Sequence, residues 1–185
     1  MSLNQTQVSQ LYVAIFGRAS EKAGNAFWQG EGDTLSVVAD KMLASDGGTW
    51  YFGDKLNNNQ QFIEHIYKNT LGKTADQDPD GIAHWVAKLE GGESKGSVVE
   101  AMINALVTGD FTGDTLAIQA QQRFLNRLAV SDATAETNLT ADLTDASMQK
   151  FANFINSVDH TPASKAAAIA AVEAAANASE PPVQI

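Results

Sequence analysis

Leu11-Tyr12-Val13-Ala14-Ile15-Phe16-Gly17-Arg18 and Ile66-Tyr67-Lys68-Asn69-Thr70-Leu71-Gly72-Lys73 are two versions of one phrase. In each, an apolar helical stripe ends on a glycine, and a cation follows. Tyr12, Gly17 and Arg18 recur as Tyr67, Gly72 and Lys73, 55 residues on. Gly24 and Trp28 recur as Gly81 and Trp85, 57 residues on, and Ser36-Val37-Val38 recurs as Ser97-Val98-Val99, 61 residues on. The offset grows across loops, where insertions cost little. The ordered recurrence predicts an all-α domain made of two diverged helix–loop–helix repeats, residues 1–56 and 57–113. Each unit alone would expose its tryptophan and its stripe, so packing the units back to back could bury both.

Working outward, apolar residues fall at helical spacing over Gln5–Phe16, from the cap at Asp33 or Thr34 to about Ala44, over Phe62–Leu71 and Ile82–Leu89, and from Ser97 to about Val107. A short helical piece is expected around Asn25–Trp28, and the glycines near Ser45–Gly48 read as a break. Residues 114–178 form a more degenerate C-terminal helical part. Its segment Val130–Asp142 is rich in Ser, Thr, Ala and Asp and reads as an exposed loop. Thr161 followed by Pro162 marks the start of a last, alanine-rich helix, with Asn177 as its stop. Residues 179–185, with Pro181-Pro182, read as the start of a linker to something longer.

The 185 residues suffice for one domain with a continuous core. Hydrophobic residues make up 44%, which argues against disorder throughout. With 22 acidic and 12 basic residues the formal charge is -10, and no run of Lys and Arg offsets it. That balance disfavours nucleic acid as a partner, and makes an anionic membrane or polyanionic glycan a poor direct partner unless a cation bridges the two. Zero cysteines exclude disulfides, thiol catalysis and zinc–thiolate sites. Met1 to Val8 is polar and has no basic stretch before an apolar one, so no N-terminal signal peptide is read there. No apolar run is long enough to predict a transmembrane segment.

Three histidines, His65, His84 and His160, show no metalloprotease spacing, and no nucleophile elbow or phosphate-gripping loop occurs. The chain is therefore read as no enzyme. The sharpest local signal is Asp76-Gln77-Asp78-Pro79-Asp80-Gly81, in which three carboxylates alternate before a glycine. This resembles the first half of a calcium loop, with Asp76, Asp78 and Asp80 as ligands, although Ala87 stands where a bidentate acid would close it. The competing reading is a solvated loop in which Asp78 or Asp80 caps the next helix. Trp28 and Trp85, at matched positions, read as packing residues. Trp50 and Tyr51 have no counterpart in the other unit, so an exposed aromatic platform is one reading and core packing the other. Asn57, Asn58, Asn59 and Gln60 follow them as a run of amides able to bond sugar hydroxyls.

The pattern Leu11-Tyr12-x-x-x-Phe16-Gly17-Arg18 with Gly24-x-x-x-Trp28, repeated in the second unit, resembles a helical repeat common in large secreted bacterial surface proteins of the RTX and S-layer type. It covers roughly residues 5–108. Val8-Ser9-x-Leu11-Tyr12, Ala19-Ser20-Glu21, Phe52-Gly53-Asp54 and Ala101-Met102-Ile103-Asn104 resemble more closely the N-terminal region of Campylobacter-type surface-array proteins. That resemblance implies an extracellular, cell-surface protein exported without an N-terminal signal peptide and anchored to lipopolysaccharide. The expected function is thus a non-catalytic anchoring domain that binds the O-polysaccharide or another cell-surface glycan. Trp50 and Tyr51 would stack on sugar, Asn57–Gln60 would supply polar contacts, and Ca2+ would sit at Asp76, Asp78 and Asp80. The alternative is a protein–protein or self-assembly module that meets other copies of the full-length protein.

Overall fold

The structure is a computed structural model that describes residues 2–180, and among these all regular structure is helical. The helices are α1 (Gln5–Leu11), α2 (Lys22–Gln29), α3 (Leu35–Ala44), α4 (Asp46–Phe52), α5 (Asn59–Leu71), α6 (Pro79–Glu90), α7 (Lys95–Thr108), α8 (Thr115–Ala135), α9 (Asp145–Asn156) and α10 (Pro162–Ser179). A π-helical turn, Tyr12–Phe16, continues α1, and a 3-10 turn, Gly53–Asn57, joins α4 to α5. Local chemistry sets the starts. Thr34, Ser45, Asn58, Ser94 and Thr161 each accept a backbone N–H from three residues on.

The repeat is visible as a shared set of contacts. Gly17 (φ 58°) and Gly72 (φ 71°) both end their helices in the left-handed region, which favours glycine. Beyond each, the tyrosine reaches the start of the next helix. Tyr12 donates to Glu21, the residue before α2, and Tyr67 donates to Asp78, the residue before α6. A Cβ at Gly24 would stand 2.3 Å from the Tyr12 oxygen, and one at Gly81 would stand 2.5 Å from the Tyr67 oxygen. The recurring Tyr and Gly are therefore one device. The glycine leaves room for the hydroxyl that fixes the next helix.

The equivalent helices α3 and α7 pack directly on each other. Leu35, Val38 and Met42 on one side, with Val98, Val99 and Met102 on the other, are buried in a single core. The helices also cap one another. Asp40 of α3 accepts the Gly96 N–H in the first turn of α7 at 2.6 Å, and Glu100 of α7 accepts the Ser36 N–H in the first turn of α3. Trp28 and Trp85 lie half-buried at the edge of this core and are not sealed between the units.

The break expected at Ser45–Gly48 ends α3 at Ala44, and Gly47 and Gly48 then lie in the first turn of a further helix, α4. A Cβ at Gly48 would come within 2.3 Å of the Met42 carbonyl oxygen, so this glycine lets α4 sit on the end of α3. The stretch from Val130 is not an exposed loop, since α8 runs to Ala135 and Val130, Ser131, Thr134 and Leu139 are buried. Its hydroxyls serve the first unit. Ser131 Oγ accepts the Ser20 N–H at 2.9 Å, Thr134 Oγ1 donates to the Ser20 carbonyl at 2.6 Å, and Asp132 holds Ser9 and Thr6. Lastly, α10 passes Asn177 and runs to Ser179. The expected linker beyond residue 180 lies outside the described residues.

Gly96→Ala tests the seam. Its Cβ would stand 2.2 Å from the Ser36 carbonyl oxygen, a backbone atom of the facing helix. We expect a loss of about 2 kcal/mol or more in urea unfolding. Gly30→Ala is the control, since its Cβ would meet only ordinary contact at 3.6 Å; a change within about 0.5 kcal/mol is expected there.

Candidate functional site

A cleft of about 770 Å³ opens where the first unit, the second unit and the C-terminal helices meet. Phe16 and Gly17 come from the π turn and its end, Trp50 and Tyr51 from α4, and His65, Lys68 and Asn69 from α5. Arg123 and Arg127 come from α8, and Asp145, Met148, Gln149, Ala152 and Asn156 from α9.

One wall is built from the unfinished end of the π turn, whose last carbonyls have no partner in their own helix. Side chains of α5 take them up. Asn69 Nδ2 donates to the Ala14 carbonyl and His65 Nε2 to the Ile15 carbonyl, each at 3.0 Å. A carbonyl oxygen only accepts, so the imidazole proton sits on Nε2. Tyr51 Oη lies 3.1 Å from the same nitrogen, and its ring packs edge-on against Phe16 and His65. Burial pushes the Tyr51 phenol up to about 12 and the His65 imidazole down to about 4. His65 is therefore neutral near pH 7. Trp50, on the rim, is 42% exposed.

The other wall is cationic. Arg127 is buried, and its guanidinium donates to the Val158 carbonyl at 3.0 Å and the Asn156 carbonyl at 3.3 Å. Burial, and then the neighbouring Arg123, push it down to about 9, so it keeps its charge at neutral pH. Arg123 lies against Gly72, and its Nη1 is buried with no hydrogen-bond partner. Lys68 stands exposed on α5. Among the described residues the ion pairs are Arg18–Glu21, Lys41–Glu31 and Lys88–Glu93, none of which neutralises this wall.

Of the residues singled out in the sequence, the cleft gathers Trp50 and Tyr51. Asn57, Asn58, Asn59 and Gln60 do not line it. Asn58 caps α5 by accepting the Gln61 N–H at 2.9 Å, and Gln60 donates to Glu64 at 2.7 Å. Asp78 caps α6, taking the Gly81 N–H at 3.0 Å and the Tyr67 hydroxyl. The Tyr67 bond, then the Gly81 N–H, hold its carboxyl below the usual carboxylate range. Asp76 and Asp80 are exposed beside it. Among the described residues no group of three or more acids or histidines is arranged to hold a metal ion. Arg18 is buried between Tyr12 and Phe151 and bonded to Glu21. Sequence reading missed Arg123 and Arg127. Their signal was two like charges four residues apart, a pair that costs stability on a helix face.

The depressed His65 makes stability depend on pH. The unfolded chain takes up its proton from about pH 6.5 downward, and the folded chain resists until about 4. Folding stability from this group is present above pH 6.5 and is lost as pH falls towards 4. We expect a drop of about 2–3 kcal/mol across that window. Urea melts at stepped pH would show it, and His65→Gln would flatten the slope.

Over residues 39–106 the chain is similar to a family described as "Domain of unknown function (DUF4214)". That stretch runs from within α3 to within α7. It contains Trp50, Tyr51, His65, Lys68 and Asn69 and leaves out α8 and α9. No curated protein and no solved structure matches the chain.

Proposed function

We propose that this chain is a non-catalytic cell-surface anchoring domain of an S-layer-type protein, and that it binds lipopolysaccharide through the cleft at the three-way junction. The observation that carries this reading is the cleft's composition. An exposed indole and a half-buried phenol stand on one side, and polar and cationic groups stand on the other. Sugar rings present apolar C–H faces and polar rims, so a site for them needs both surfaces. One carboxylate, Asp145, lines the cleft. Hydrolysis by paired carboxylates needs two, which favours binding over cleavage. The sequence resemblance to surface-array proteins supports the extracellular setting. No helix among the described residues is long and apolar enough to cross a membrane.

Co-sedimentation of the domain with purified lipopolysaccharide tests the reading. Binding is expected, with Trp50→Ala weakening it about tenfold. Absence of binding by the unsubstituted domain would sink the anchoring proposal. Calcium enters as an ordering cation of the Asp76–Asp80 loop, and equal binding with chelator and with added Ca2+ removes it.

A self-assembly module is the second reading. Ile118 and Leu125 are exposed two turns apart on one face of α8, which would suit a contact with another copy. Concentration-dependent association in sedimentation velocity, abolished by Ile118→Ser with Leu125→Ser, would favour it. A monomer throughout would count against it.

A further inference from the structure

The chain carries a net charge of -10, yet the cleft gathers Lys68, Arg123 and Arg127 against one carboxylate, Asp145. Among the described residues none of the three is in an ion pair, and they come from two different helices. Arg127 has a structural task, because its bonds tie α8 to the end of α9. Arg123 has none of that kind. Its Nη1 is out of water and unpaired, an arrangement that costs stability with no gain to the fold. Four residues from Arg127 on one helix, it also repels its neighbour. An oxyanion in the cleft would neutralise this excess. Exposed Lys68 lines the same cleft as a third cation, and Trp50 adds a flat, partly exposed apolar surface to it.

We infer that the cleft selects a saccharide bearing an oxyanion, a sugar phosphate or sugar acid, with the charge held by Lys68 and Arg123 and the ring laid against Trp50. This rests on the reading of the cleft as the glycan site and names what that site distinguishes. Neutral sugars would gain the stacking surface alone. Charged ones would add charge-assisted bonds in a partly dry setting.

The test titrates glucose 6-phosphate, glucuronate, glucose and inorganic phosphate into the domain and follows the Trp50 indole resonance. At low salt, glucose 6-phosphate, glucuronate or both should bind at least about tenfold more tightly than glucose, and rising salt should weaken them. Inorganic phosphate should bind more weakly than glucose 6-phosphate. Arg123→Gln and Lys68→Gln should each reduce the preference for charge, with unchanged circular dichroism and melting temperature. Neither side chain makes a bond the fold relies on, so loss of folding is not expected from either. Equal binding of glucose and the charged sugars overturns the inference. So does full charge preference in both variants, or phosphate binding as tightly as glucose 6-phosphate. The two proposals fail separately. Charged sugars without lipopolysaccharide would remove only the anchoring reading. Lipopolysaccharide held equally well by Arg123→Gln and Lys68→Gln, with no response to charged sugars, would remove only the charge selectivity.

Discussion

Everything in this fold hangs on the meeting of α3 with α7. Two helices that occupy the same place in their respective units lie against each other, each supplying the carboxylate that satisfies the other's first turn. Gly96 lets the backbones approach to a distance that any side chain would prevent. Both units are thereby committed to one geometry. Their first helical segments then fall side by side, with α5 against the π turn. The cleft exists because α5 must complete the hydrogen bonds of that turn, and His65 and Asn69 are the residues that do so.

The sequence disclosed the parts of this arrangement that rest on local rules. Tyr, Gly and Trp recur at readable spacing, and helix starts are marked by Thr34 and Thr161. Errors arose where a residue's local meaning was overruled by a distant partner. Ser131 and Thr134 resemble loop residues until they are seen to bond the backbone of Ser20, more than a hundred positions earlier. Tertiary bonds of this range leave no periodic trace.

The candidate site was legible by halves. Trp50 and Tyr51 stood out because the repeat did not explain them, and they do flank the cleft. The neighbouring amides lie outside the cleft, where Asn58 caps α5 and Gln60 bonds Glu64 on the surface. Arg123 and Arg127 belong to the degenerate third of the chain, where no internal copy exists for comparison. Asp78 was legible in its plainer reading, as the cap of the helix that follows. A carboxylate pattern that resembled a metal loop is, at its central residue, the second unit's version of the Tyr–acid–Gly device already present at Glu21.

The cleft draws its walls from segments as far apart as Phe16 and Asn156. The two units supply the aromatic rim and the imidazole from residues they do not share, while the cations facing them come largely from α8. A pair of such units mounted on a different helical partner would keep its scaffold and meet a different charge. Such a repeat can therefore be a common building block without having a common ligand, and the identity of what is bound is written in the helices that flank it.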